Sequence, residues 1–353
     1  MTLLYTEVEE ELRAAVRGLL ADRCPPSAVL KRIESPEPCD LELWKTLSRE
    51  IGVAGLLVPE EYGGAGASAR EAAVVLEELG RGVAPVPFLT SSVLATDALV
   101  RVRAGELLTR LSGGEITAAL VVPFGASPYR GLDGTVTIVD GRLGGSVRAV
   151  AGAEVADVLV VPVGGELYAV DRGDARVEVG VSFDLTRPVA TVTFEDSPAT
   201  ALGLCDVRET LTLGAALLAS EQLGLAEWCL ETTIAYGKER YQFARPIGSF
   251  QAIKHRLADL WLDVVRARAA ARNAADDPAP LPAAVAQAWN GEVAVRVAEE
   301  AVQLHGGIGM TWEHPLHLYL KRAKADEIAL GTPGDHRAAL ASLADLPGPE
   351  AGQ

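Results

Sequence analysis

The chain has 353 residues, of which 49% are hydrophobic, so it is long enough for a large core and for two or three structural units. Its formal net charge of -16 repels phosphate backbones and anionic lipids, which disfavours nucleic-acid and membrane-surface binding. The four cysteines are scattered without a CxxC pair or companion histidines at ligand spacing, which argues against a disulfide framework and a zinc site.

The beginning of the chain does not have the pattern of a secretory signal. Met1 is followed by an acidic amphipathic stretch, without the basic and long apolar segments of a signal peptide. No later segment is long and charge-free enough to span a bilayer. We therefore expect a cytoplasmic protein without a membrane span.

Residues 1–113 have the spacing of an N-terminal helical domain. Apolar residues recur at helical intervals, for example at Val8, Leu12 and Val16. Ser68 and Glu71 form a capping-box pattern ahead of an apolar helix, and Gly80 is placed to end that helix.

Residues 114–205 have the pattern of a small antiparallel, barrel-like β domain. Short runs rich in β-branched residues are separated by Gly, Asp and Pro clusters, and they cover residues 117–122, 135–139, 158–163, 167–170 and 189–194. The sequence therefore predicts strands between two helical regions, which is an α+β fold.

Residues 206–345 return to helical periodicity and predict a C-terminal four-helix bundle. The four helices are expected at about residues 207–238, 250–274, 283–304 and 315–329. Residues 346–353 have the composition of a loose tail.

Two segments of the C-terminal region carry candidate ligand-binding side chains. In the first, Arg240 and Phe243 are three residues apart and are expected on one face at a helix end, and Gln251 opens the next helix. A guanidinium pairs with phosphate oxygens, an aromatic ring can lie against a dinucleotide, and an amide can bond ribose or adenine. The alternative for Arg240 is an exposed ion pair with Glu239 or Glu231.

The second segment is a glycine-rich loop. Gly306, Gly307 and Gly309 remove Cβ atoms, so that the backbone can approach a ligand closely and its amides can point at the ligand's oxygens. The alternative is a helix C-cap after Leu304. The nearby histidines lack a third ligand at a matching interval, so we expect no metal site at His305, His314 and His317.

Both segments, in this order and after the helix and strand regions, resemble the FAD-binding signatures of the acyl-CoA dehydrogenases. The resemblance covers almost the whole chain and implies that family's architecture: an N-terminal helical domain, a middle β domain and a C-terminal four-helix bundle. It also implies that matching positions contact an FAD held mainly by a neighbouring subunit, and these positions are Arg240, Phe243, Gln251, Gln303, Gly306 and Gly307.

The same resemblance shows that the usual catalytic glutamate is missing. In the family this carboxylate stands before Gly-Thr and removes the α-proton of the thioester while the β-hydrogen leaves as hydride to FAD. Leu330 occupies the position here, and Gly214 is near the alternative position used by some relatives. Glu209 and Glu221 are more than a turn from Gly214. Glu327 is the nearest substitute, and its periodicity favours a solvated helix residue.

The flavin-facing positions of the β domain also depart from the family pattern. Residues 121–127 read VVPFGAS where the family carries Thr-Glu-Pro, small residues and Ser, so a hydroxyl donor is lost. Residues 149–153 read AVAGA in place of an aromatic, Ile, Thr, Asn pattern. A flavin ring bound there would lack partners, at a cost of about 1 kcal/mol or more for each unmet group.

These features together predict one subunit of a heteromeric, α2β2 acyl-CoA dehydrogenase. The resemblance is to base-lacking subunits of actinobacterial enzymes associated with steroid side-chain degradation. A homologous partner would supply the base, the complex would desaturate an acyl-CoA between Cα and Cβ, and electrons would pass through the shared FAD to an electron-transfer flavoprotein. Three alternatives remain: a homomeric dehydrogenase with a displaced carboxylate base, a flavin-dependent monooxygenase on the same fold, and a non-enzymatic scaffold without flavin.

Overall fold

The computed structural model describes residues 3–132 and 134–345, and the predicted tail at 346–353 lies outside the described residues. The first region is helical, as expected, with two additional π-helical stretches at Leu47–Ile51 and Phe88–Ala95. Its helices are α1 (Glu7–Arg23), α2 (Pro26–Arg32), α3 (Leu41–Thr46), α4 (Ala69–Gly82), α5 (Thr96–Arg101) and α6 (Gly105–Ser112).

Helix α4 begins at the predicted capping box but does not end at the predicted glycine. The Ser68 hydroxyl and the Glu71 carboxylate cap each other's backbone N–H groups, as the sequence indicates. The helix continues past Gly80 to Gly82, so the prediction that Gly80 stops it was wrong. A Cβ on Gly80 would lie 2.2 Å from the Glu221 carbonyl oxygen, so this glycine allows α4 to approach the helix that contains Glu221 closely.

The middle region forms two four-stranded sheets, ordered β1-β4-β5-β8 and β2-β3-β7-β6. A core that includes Leu143, Leu159, Val192 and Phe194 is shared by side chains from both. The strands are β1 (Ala118–Leu120), β2 (Val136–Val139), β3 (Arg142–Ala151), β4 (Val158–Val163), β5 (Glu166–Asp171), β6 (Arg176–Val179), β7 (Val189–Pro198) and β8 (Thr200–Leu204).

One strand pair differs from the antiparallel prediction. β1 runs parallel to β4, because the chain crosses through β2 and β3 of the other sheet before it returns beside β1. The other ladders in the described residues are antiparallel. Strands β3, β6 and β8 were not predicted, since glycines, charges and a bulge interrupt their alternation.

The last region contains the four predicted long helices, with bounds within a few residues of the expected ones. A short hairpin of β9 (Tyr241–Gln242) and β10 (Arg245–Pro246) follows the first of them. The helices are α7 (Val207–Glu239), α8 (Gln251–Asp276), α9 (Pro280–His305), α10 (Leu316–Ile328) and the additional α11 (Pro333–Leu343). Helix α7 is the central one and packs against α4, α8, α9 and α10. Among the described helices, none combines the length and apolar character needed to cross a bilayer.

Candidate functional site

The first predicted ligand segment is a hairpin, and this differs from the expected helix end. Helix α7 stops at Glu239, and Arg240 is its C-cap with extended backbone (φ -78°, ψ 119°). Phe243 and Ala244 form the two-residue turn, both with positive φ (53° and 60°), as a twisted two-residue hairpin loop requires. The prediction that Arg240 and Phe243 share a helical face was therefore wrong.

The hairpin presents cationic and aromatic side chains to solvent. Phe243 is 88% exposed, and its ring meets Phe250 edge to face at 6.3 Å. The Arg245 guanidinium lies 3.8 Å from the centroid of the Phe250 ring. Gln251 is exposed at the first position of α8. The hairpin thus combines a planar cation, aromatic faces and an amide, which is the chemistry that a dinucleotide needs.

Arg240 has no ion pair or side-chain hydrogen bond within the part of the chain that the structure describes. The alternative pair with Glu231 does not form, because Glu231 bonds the Arg81 guanidinium at 2.6 Å. A guanidinium left unpaired at an exposed position is available to an anion from another molecule.

The three glycines of the second segment differ in their local surroundings. Gly306 ends α9 with φ 64° and ψ -140°, a conformation that only glycine adopts easily, so the helix-cap alternative holds for this residue. A Cβ on Gly309 would lie 2.7 Å from the Val302 carbonyl oxygen. Gly307 has ordinary φ, and a Cβ there would meet nothing within 4 Å. The fold itself gives no reason for glycine at 307, and its open side faces away from the protein.

The two segments lie at the same end of the bundle. Tyr236, in the last turn of α7, stacks on His305 at the end of α9 with 4.3 Å between ring centroids. The glycine loop therefore follows directly from the helix end that adjoins the hairpin. Gln303 is exposed on the last turn of α9 at this same end. The six predicted cofactor contacts thus belong to one end of one domain.

Apolar side chains fill the position that the resemblance assigns to the base. Leu330 is fully buried, and its Cδ1 lies 3.0 Å from where a Cβ on Gly214 would stand. Leu94 Cδ2 lies 2.4 Å from that same point. The two base positions that the family resemblance identifies therefore face each other across a space occupied by leucine methyl groups. The Leu330 N–H donates to the Phe124 carbonyl at 2.8 Å, which ties this position to the β domain.

The other candidate carboxylates are engaged elsewhere. Glu209 is exposed and pairs with Arg101. Glu221 is fully buried in an ionic cluster. Glu327 is 26% exposed and lies 3.8 Å from the Lys324 ammonium, so it is only partly the solvated residue that the sequence predicted.

We expect Leu330→Glu to destabilise the chain and to leave it inactive by itself. A carboxyl group would enter a fully buried apolar site between Leu94 and Gly214, at a cost of about 3 kcal/mol in the free energy of unfolding. Urea denaturation measures this loss. The control, Leu330→Met, conserves volume and should cost less than about 1.5 kcal/mol. A stable Leu330→Glu protein that dehydrogenates an acyl-CoA would contradict the filled site.

A cleft of about 1250 Å³ runs along the β domain, where the resemblance places the chain's own flavin ring. The side chains at the ring-facing positions Val121, Val122, Ala126 and Ala149 are apolar, and the Ser127 hydroxyl accepts a bond from Tyr129 N–H at 3.3 Å. Leu330 is not among the described residues that line this cleft. The four apolar side chains offer no hydrogen-bond partner to the carbonyls and nitrogens of a flavin ring.

A buried ionic cluster joins the β domain to the bundle close to Leu330. Arg322 donates to Asp184 and Glu221, both at 2.5 Å, and Arg187 donates to Glu221 and to Asp326 at 2.5 and 2.7 Å. Burial alone would raise the pKa of Glu221, but the two arginines hold it below its usual value. Burial, followed by the nearby Glu221 charge, raises the pKa of Asp326 well above its usual range.

Sequence reasoning missed this ionic cluster, and it missed the contact between Arg245 of the hairpin and Phe250. The five charged residues of the cluster lie far apart along the chain. Only Arg322 and Asp326, at i, i+4 spacing on one helix, could have been recognised as neighbours from the sequence. Arg245 and Phe250 lie inside the recognised segment, but their stacking depends on the hairpin turn.

Comparison with known proteins identifies the family. Family models described as the N-terminal and C-terminal domains of acyl-CoA dehydrogenase match residues 6–104 and 202–342. Acyl-CoA dehydrogenase IpdE2 of Mycolicibacterium smegmatis is 38% identical over 328 residues, which cover 93% of this chain and 96% of that protein.

Solved structures show the same similarity over nearly the whole chain. A chain of the ChsE4–ChsE5 complex from Mycobacterium tuberculosis has a TM-score of 0.87 at 32% identity, with 99% of this chain and 100% of that chain covered. A chain of a variant of the Tcur3481–Tcur3483 steroid ACAD has a TM-score of 0.85 at 30% identity, with 96% and 98% covered.

Proposed function

Because the chain belongs to the acyl-CoA dehydrogenase family, whose members are FAD-dependent oxidoreductases acting on acyl-CoA thioesters, we propose that it is the base-lacking subunit of a heteromeric enzyme. It would complete the FAD site of a homologous partner, because a buried leucine stands at its own base position. One observation supports this most directly: the two predicted ligand segments lie at the same exposed end of the bundle, while leucines fill the position assigned to the base.

Each residue of the exposed end has a role toward the partner's FAD in this proposal. The Arg240 guanidinium bonds the pyrophosphate, Phe243 lies against the dinucleotide, and Gln251 bonds its ribose or adenine edge. Gln303 and the backbone at Gly306 and Gly307 contact the same cofactor from the other segment. FAD supplies the hydride acceptor when it is bound. The α-proton passes to a base of the partner, since Leu330 cannot accept it.

The relatives support an assembly of unlike chains. The printed descriptions of two similar structures name pairs of proteins, ChsE4–ChsE5 and Tcur3481–Tcur3483, and the second is called a steroid ACAD. We propose an α2β2 assembly with one such partner and a CoA ester with a steroid side chain as substrate. An electron-transfer flavoprotein would then reoxidise the FAD, as the family resemblance implies.

The proposal is tested by the FAD content of the assembled protein. The chain is co-expressed with an acyl-CoA dehydrogenase encoded beside it, and the complex is purified and its mass determined. Flavin absorbance is then compared with the amount of each chain. We expect one FAD for each pair of unlike chains and no flavin on this chain alone. One FAD per chain, or a yellow isolated chain that oxidises an acyl-CoA, would favour the homomeric alternative.

A further inference from the structure

Histidine rings lie at both ends of the glycine loop Gly306–Met310. His305 is the last residue of α9, and its Nδ1 lies 2.7 Å from the Ala301 carbonyl oxygen. His314 follows the loop, and its ring centroid lies 4.9 Å from that of His305. The His305 ring also stacks on Tyr236 of α7. The start and the end of the loop are therefore held together by ring contacts.

His314 also bonds the beginning of α10. Its Nδ1 accepts the backbone N–H of Leu316 at 3.3 Å, and Leu316 is the first residue of that helix. The residue before the helix is Pro315, which offers no side-chain acceptor, so His314 satisfies one of the first N–H groups. Only an imidazole without a proton on Nδ1 can accept this bond.

The charges around His314 oppose a second proton on its ring. His305 faces it from α9, and His317 faces it from α10 and bonds the Trp312 carbonyl through Nε2 at 3.1 Å. Lys321, one turn further along α10, places its ammonium 3.8 Å from the centroid of the Trp312 ring. The neighbouring Glu313 carboxylate is exposed to solvent. The positive end of the α10 dipole adds to the cost of a cation at this position.

We propose that His314 is a positioning residue whose neutral ring holds the glycine loop in the conformation that meets the partner's FAD. The role toward FAD rests on the proposed function, whereas the anchoring of the loop concerns this chain alone. Protonation of Nδ1 removes the acceptor for Leu316 N–H and places a cation beside His305 and His317. The loop then loses its fixed end.

The direction of the pH effect follows from the surroundings of the ring. Burial, then His305 and His317, lower the pKa of His314 from its ordinary 6.5. Burial, then Lys321, lowers the pKa of His317 in the same direction. A lowered pKa means that the anchoring is complete above about pH 6.5 and is lost as the pH falls through the lowered value.

Hydrogen exchange of the isolated chain tests the anchoring. Amide protection of residues 303–316, corrected for the intrinsic exchange rate, is compared at pH 7.5 and pH 5.0. We expect about tenfold lower protection at the lower pH, because a cap bond is lost and a cation faces the helix dipole. His314→Asn should keep its protection at both pH values, since its amide oxygen can accept Leu316 N–H and does not titrate. His314→Leu should be poorly protected at both.

A matched control uses the exposed histidine of α8, since His255→Gln removes a titrating ring away from the loop and should keep the wild-type pH response. The proposal would be overturned if the amide protection of the wild-type loop were the same at the two pH values. It would also be overturned if His314→Asn lost as much protection at the lower pH as the wild type.

The role toward FAD is tested in the complex by the rate of flavin release, followed by fluorescence. Release should become faster between pH 7.5 and pH 5.0 for the wild type but not for His314→Asn. If the complex holds one FAD per pair of chains and its rate of flavin release changes with neither pH nor this substitution, the positioning role is overturned. A complex without FAD at every pH would instead contradict the proposed function, and the exchange measurement would still decide whether His314 anchors the loop.

Discussion

Arg322→Leu is expected to lower the free energy of unfolding by about 3 to 5 kcal/mol, because it leaves the buried Asp184 carboxylate without its ion pair and removes one of the two arginines that bond Glu221. The Arg322 side chain is 1% exposed, and its guanidinium bonds Asp184, Glu221 and the Thr186 hydroxyl. Arg187 remains after the substitution, but it already bonds Glu221 and Asp326. The junction between the β domain and the bundle should therefore loosen. Urea denaturation followed by circular dichroism measures the loss.

Two control variants separate the cluster from general effects of removing an arginine. Arg337→Ala removes an exposed arginine that pairs with Glu292 on the surface, and it should change stability by less than about 1 kcal/mol. Arg322→Lys keeps the charge but cannot bond three partners in one plane, so its loss should be intermediate. A loss below 1 kcal/mol for Arg322→Leu would show that the cluster does not hold the two units together.

Arg240→Ala is expected to weaken FAD binding by the heteromeric complex about 10- to 100-fold while leaving this chain folded. A charge-assisted bond to phosphate contributes about 1.5 to 3 kcal/mol, which corresponds to that change in the dissociation constant. Folding should be unaffected because Arg240 is exposed and has no side-chain partner in the described part of the chain. Titration of the apo complex with FAD, followed by flavin fluorescence, measures the affinity.

The matched control is Arg110→Ala, which removes another exposed arginine, on α6, and so changes the net charge by the same amount. It should leave FAD affinity unchanged within about twofold. Equal affinities for the Arg240→Ala and wild-type complexes would show that the hairpin does not contact the cofactor. Loss of the complex itself, visible by size-exclusion chromatography, would assign Arg240 to subunit contact instead.

Local signals were sufficient for the helices but not for several strands. The long helices α7 to α10 follow from apolar periodicity and from Pro and Gly breaks, because a helix is stabilised within its own segment. Strands β3, β6 and β8 were missed, and β1 was expected to be antiparallel. A strand is defined by the neighbour that it bonds, and that neighbour is distant in sequence.

The ligand segments show the same division. Their residue types and spacing were readable from the chain, and so was the absence of a carboxylate at Leu330. The hairpin shape was not, because Phe243 and Ala244 adopt positive φ without a glycine to indicate it. The hydrogen bond of His314 was also not predictable, since the sequence does not show which ring nitrogen of a histidine near a helix start accepts a backbone N–H.

By itself, the amino-acid sequence determined the family, the helix, strand and helix order, and the absence of an ionisable side chain at Leu330, since each depends on residue identity and short-range spacing. Only the tertiary structure decided that Leu94 and Leu330 fill the space beside Gly214, that five distant charges form one buried cluster, and that both ligand segments share one end of the bundle. These contacts join residues separated by many turns of chain, and their energies depend on burial and mutual orientation, which no local pattern contains.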